Sequence, residues 1–271
     1  MILKEVINKS YYGTISYIPN EEYFSILERY ITYSLEVLKE FKGIIVATNY
    51  EDPKLANKNK ELWKKYFPNC ILLDLPENRG HNFGTSDLDN TIFNYCKDND
   101  IKWLCKTSSD IILEKKVLNI PIKKSDFYYL EGIGYGGLAN NNFDKDKILN
   151  DYFFPQTNFY IINVSKVDYL NDPIYIEKTY TEIQNIPKQV YESVFDNKPW
   201  GPFPGWACEQ FLADCVKRNN LTKYHLLPQE KYLILLEIIE KYKIDDCSHK
   251  NIMLEGICHF HNIEDNVLIL K

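Results

Sequence analysis

The stretch NRGHNFGTSDLDNTIFNYCKDNDIKWLCKTSSDIIL, residues 78–113, decides the fold class. It opens on a turn that runs through Gly84, with Gly80 and Gly84 placed where backbone can approach a ligand closely. A helix is expected over residues 86–99, with Leu88, Ile92, Tyr95 and Cys96 on one side. Its first turn offers free N–H groups to a phosphate or a capping carboxylate. An apolar strand follows at residues 102–106, and the chain then passes through small polar residues to Asp110.

Working outward, the same alternation recurs upstream. Residues 13–17 (GTISY) read as a strand, and Asn20 caps a helix in which Phe24, Leu27, Tyr30, Ile31, Leu35 and Leu38 recur at helical spacing through Glu40. Residues 43–48 (GIIVAT) form a buried, β-branched strand. A helix over 55–66 is stopped by Pro68, and a third strand covers 70–75. Strands alternating with helices predict a parallel sheet with crossover helices. The right-handed crossover then lines up the strand C-termini along one edge, where α/β proteins bind ligands.

The second half reads differently. Strands at 127–130 and 159–163 flank a Gly- and Asn-rich loop at 132–142. Residues 175–195 have helical period, broken at Pro187. The loop KPWGPFPGWA, residues 198–207, leads into a helix over 208–218. His259 and His261 alternate as on a strand and so share a face, and a last strand covers 267–270. No repeat and no linker divides the chain, so one continuous α/β domain with a mostly parallel central sheet and flanking helices is expected.

Composition narrows the function. The 271 residues are 45% hydrophobic and 26% charged, proportions of a globular chain rather than a disordered one. A net charge of −6 argues against a general nucleic-acid binder, which needs a basic face. Seven cysteines without a CxxC pair read as free thiols in a reducing compartment. No apolar run reaches the ~20 residues of a membrane span. A soluble, cytoplasmic protein is expected.

Asn78-x-Gly80, a helix, an apolar strand and then Lys106-x-x-x-Asp110 together resemble the nucleotide-sugar-binding half of a GT-A fold glycosyltransferase of the family-2 kind. Such enzymes carry an Asp-x-Asp motif at the end of this strand, where it holds a divalent metal and the donor diphosphate. Here Ser108 stands at the first position and Asp110 at the second. The resemblance implies a nucleotide-diphosphate-sugar donor and a Mn2+ or Mg2+ ion. It implies donor contacts from Thr14, Ser16, Tyr17, Asn49, Asp52, Asn78, Arg79, Gly80, Lys106 and Ser108. Residues 1–125 would form the nucleotide-sugar half and 126–271 the acceptor half.

The likeness extends to the aromatic loop and the helix after it. Glu209 matches the acid that serves as acceptor-side base in inverting members, while Gln210 replaces the second acid of the pair. Trp200 and Trp206 are expected to line the site for a glycan or glycosylated acceptor. His259 or His261 matches a late histidine that reaches back to the metal beside Asp110. The implied function is transfer of a sugar to an acceptor hydroxyl. Ser108 and Gln210 also fit a catalytically inactive nucleotide-sugar or glycan-binding module. A sugar nucleotidyltransferase is disfavoured, because GTISYIPNEE carries no Gly-rich basic loop.

Overall fold

Strand β1 (Tyr11–Ile15) follows a one-turn helix, α1 (Lys4–Ile7), and takes an interior place in the main sheet. The computed structural model describes residues 1–50, 52–75, 77–109, 111–131, 155–184 and 207–226. It also gives the backbone of three short strands near the C-terminus. From β1 the chain runs through α2 (Tyr23–Leu38), β2 (Gly43–Asn49), α3 (Pro53–Tyr66), β3 (Ile71–Leu75), α4 (Gly80–Asp98) and β4 (Trp103–Ser108). A short β5 (Ile111–Leu113) precedes β6 (Phe127–Glu131) and β7 (Pro155–Asn163). Then come α5 (Pro173–Gln184), α6 (Ala207–Arg218) and β8 (Lys223–His225).

The main sheet has seven strands in the order β3-β2-β1-β4-β7-β6-β8. Pairs β3-β2, β2-β1, β1-β4 and β6-β8 are parallel, and β7 is antiparallel to both of its neighbours. The fold is therefore α/β, a mostly parallel sheet flanked by helices. Strands from both sides of residue 125 enter this one sheet.

Alternation along the strands supplies two cores. Tyr12, Ile44, Val46, Cys105, Tyr128 and Ile161 face one side, where they meet Leu27, Ile31 and Leu38 of α2 and Trp63 of α3. Ile45, Ala47, Leu104, Phe127 and Ile162 face the other, against Ile92 and Phe93 of α4 and Leu212 and Val216 of α6. Each such apolar side chain contributes roughly 1.5–3 kcal/mol when fully buried.

Three further strands, β9 (Ile252–Leu254), β10 (Ile257–His259) and β11 (Leu268–Leu270), build a second sheet in the order β11-β9-β10-β5. The strand β5 was not expected from the sequence. The larger departure is the start of α4, which begins at Gly80 rather than at Ser86 and takes in the expected glycine turn. Gly84 sits inside the helix for a steric reason: a Cβ there would lie 2.8 Å from Asn49 Nδ2 and 3.0 Å from Asn78 Oδ1.

Candidate functional site

The strand order changes direction at β1. The chain steps outward from β1 through β2 to β3, then returns to the opposite side of β1 with β4. In such sheets the crevice at the carboxyl ends of the strands flanking the switch is where ligands bind. Ile15 and Ser108, the last residues of β1 and β4, stand opposite each other there.

Several of the expected donor residues gather along this edge. Asn49, the buried last residue of β2, donates from Nδ2 to Asn78 Oδ1 at 3.2 Å, and Gly84 leaves room for the pair. Thr14 is buried on β1 beside Val46 and Thr107, and Tyr17 is half-buried just past the strand end. Ser108 donates to Asn158 Oδ1 of β7 at 3.2 Å.

Other expected donor residues are committed to the scaffold. Ser16 Oγ donates to Asn59 Oδ1 at 3.0 Å, and Asn59 Nδ2 returns a bond to the Ser16 carbonyl at 3.0 Å, which moors α3 under β1. Asp52 is the N-cap of α3 and accepts from the Lys54 N–H at 2.8 Å. Arg79 makes a two-pronged pair with Asp87, at 2.7 and 2.6 Å, and reaches Glu177 of α5 at 2.7 Å. Its guanidinium also lies over the Tyr180 ring, and the Asp87 bonds hold its pKa above the ordinary value. Gly80 is the first residue of α4.

Lys106 points into the α4 side of the sheet and is only 1% exposed. Its ammonium lies 3.0 Å from Asp89 Oδ1 and donates to the Thr157 carbonyl at 2.7 Å. Thr157 Oγ1 in turn donates to Glu209 Oε1 at 2.9 Å. Glu209 is in the first turn of α6, and the other carboxylate oxygen, Oε2, is enclosed with no hydrogen-bond partner. Burial pushes the Glu209 carboxyl above its ordinary range, against the Thr157 bond and the Lys106 charge, which pull it down. Burial likewise raises Asp89, partly offset by Lys106. The preceding Cys208 lies 3.4 Å from Ser86 Oγ of α4, with its thiol pushed up to about 12 by burial. Thr157 adjoins Asn158 on β7, so the same strand carries the partners of Glu209 and of Ser108.

Asp110, Trp200, Trp206, His261, the loop at 132–142 and the prolines at 187, 199, 202 and 204 lie outside the described residues. The backbone of His259 is described: it pairs across β10 and β5 with Ile111, the residue after Asp110. Among the described residues no three His, Cys, Asp or Glu side chains converge on one point.

Asp89 and Thr157 are the residues that reading the sequence missed. A signal existed for Asp89. It stands three, four and seven residues before Ile92, Phe93 and Cys96, on the helix face that enters the core. An acid in that stripe and a lysine inside an apolar strand are natural partners.

No family model matches the chain, and no curated protein matches it. Among solved structures, a nucleoside-diphosphate-sugar pyrophosphorylase from Vibrio cholerae RC9 aligns at 10% identity and a TM-score of 0.38, over 79% of this chain and 90% of that one. The apo form of the glycosyltransferase GlyE of Streptococcus pneumoniae TIGR4 aligns at 10% identity and a TM-score of 0.37, over 94% of this chain and 55% of that one. Likeness at this level carries no functional argument.

Proposed function

We propose that the protein is a glycosyltransferase that moves a sugar from a nucleotide-diphosphate-sugar donor to an acceptor hydroxyl. The observation that carries this reading is the placement of Glu209. A carboxylate with one oxygen bonded to Thr157 and the other unbonded is tied to β7, the strand that also bonds Ser108 at the end of β4. The donor diphosphate belongs at that strand end by the motif order of residues 78–110.

The Glu209 carboxylate accepts the proton of the acceptor hydroxyl as its oxygen attacks the anomeric carbon. The bond from that carbon to the diphosphate oxygen breaks, and its electron pair leaves with the nucleoside diphosphate. A carboxyl raised by burial is a stronger base than an exposed one. The Asn49–Asn78 amide pair orients the donor at the carboxyl ends of β2 and β3. A divalent ion held by Asp110 with His259 or His261 supplies Lewis-acid stabilisation of the leaving diphosphate when bound.

The test is a panel of nucleotide-sugars and simple glycan acceptors, with and without Mn2+, for the native chain and Glu209→Gln. Donor binding is expected to survive in the variant while transfer falls about 10²–10⁴-fold, the usual worth of a positioned base. Wild-type transfer by Glu209→Gln sinks the base assignment. Donor binding without turnover marks a binding module instead. Release of pyrophosphate from a nucleoside triphosphate and a sugar 1-phosphate marks a nucleotidyltransferase.

A further inference from the structure

Among the described residues, Tyr160 Oη and Glu209 Oε2 are buried with no hydrogen-bond partner, and buried Asp89 Oδ1 pairs with the Lys106 ammonium. All three belong to one cluster around Lys106, whose ammonium lies 3.0 Å from Asp89 Oδ1 and 6.0 Å from the centre of the Tyr160 ring. Stability alone is a poor explanation for it. A buried ion pair often contributes no more than apolar residues of the same volume. Buried charges with specific partners concentrate instead at functional sites.

The geometry is a continuous path across four elements. It runs from Asp89 on α4 to Lys106 on β4, on to the Thr157 carbonyl on β7, and from the Thr157 hydroxyl to Glu209 on α6. Thr157 turns the path, since its carbonyl and its hydroxyl face different partners. We infer that Asp89, Lys106 and Thr157 are positioning residues that fix the place and the charge state of the Glu209 carboxylate. This rests on the reading of Glu209 as the base.

The groups that face Glu209 act on it with known sign. Lys106 from β4 favours the ionised carboxylate, and Asp89 from α4 opposes it. The Thr157 hydroxyl favours it by donating. Tyr160 of β7 is kept a neutral phenol by its burial, and Cys208 on the same helix is kept a neutral thiol by its own.

The experiment is a carbon NMR titration of the whole protein carrying carboxyl-labelled glutamate, with the Glu209 resonance assigned by its loss in Glu209→Gln. Lys106→Met is expected to move the Glu209 midpoint up, and Asp89→Asn to move it down. Thr157→Val also moves it up, and Thr157→Ser, which keeps the hydroxyl, restores it. Opposite displacements by the two charge variants are not produced by general loosening of the fold. Midpoints that stay put, or that move the same way in both charge variants, overturn the inference. Where a charge variant does not fold, the Thr157 pair decides: an unmoved midpoint in Thr157→Val overturns it. The titration needs no donor, so its failure is separate from that of the base reading, which falls only if Glu209→Gln transfers sugar normally.

Discussion

Gly84 shows how one missing side chain serves the candidate donor edge. A methyl at this position would meet Asn49 Nδ2 at 2.8 Å and Asn78 Oδ1 at 3.0 Å, so the amide pair has to part. Both atoms are at the tips of side chains, which can swing away. Alanine in a helix interior is also favoured over glycine by about 1 kcal/mol. The two effects act on different quantities. For Gly84→Ala the melting temperature is expected to hold or rise, while donor affinity falls about three- to tenfold, the worth of one hydrogen bond. Calorimetric titration with the donor found in the panel, beside a thermal melt, reads both. Unchanged affinity in a folded variant detaches the Asn49–Asn78 pair from donor binding.

At the level of elements, helix α4 joins the sheet to both halves of the site, and its seat is tight. A Cβ on Gly13 of β1 would lie 2.7 Å from Leu104 Cδ1 and 2.8 Å from Ile92 Cγ2, in a packed layer. Gly13→Ala is expected to cost about 1–3 kcal/mol of stability by overpacking, measured by denaturant unfolding. A neutral result means that α4 rides looser on β1 than these distances require. Helix α4 is also where the sequence was hardest to read. Apolar periodicity placed α2, β2, α3 and β3 within a few residues of their observed bounds, because each buries a stripe whose period the sequence displays. Two glycines and the polar run HNFGTSD hid the first turns of α4, since glycine normally argues against a helix interior. The resemblance made Lys106 an expected donor contact, and in the fold its buried ammonium meets Asp89. Long-range partners of this kind leave no mark in a local window. The Thr157 bridge between Lys106 and Glu209 joins residues 106, 157 and 209 only through the antiparallel addition of β7 to β4.

For the whole molecule, the five described cysteines are free thiols, and no described helix is long and apolar enough to cross a membrane. Stability against acid then depends on a few buried titrating groups, and they pull in opposite directions. Burial holds the His225 imidazole on β8, stacked near Tyr129, down to about 4. An unfolded chain protonates its histidine near pH 6.5, so between pH 6.5 and 4 the unfolded state carries a proton that the folded state refuses. Stability therefore rises with pH across that window, and the loss on the acid side approaches about 3 kcal/mol once pH falls below 4. Asp89 and Glu209 act with the other sign. Their raised folded values give stability that is complete at low pH and lost as pH rises through those values. Asp168 adds little before pH falls below about 4. Burial pushes its carboxyl up, but the Tyr169 N–H, Arg218 and Asn219 together bring it down to about 2, and its side chain is half-exposed. His225→Phe keeps an aromatic ring beside Tyr129 and removes the titration. Urea unfolding at pH 7.5 and pH 4.5 is expected to show a clear loss at the lower pH in the native chain, and a loss smaller by about 2 kcal/mol in the variant. Equal acid losses in the two proteins would assign the sensitivity to other groups and set His225 aside.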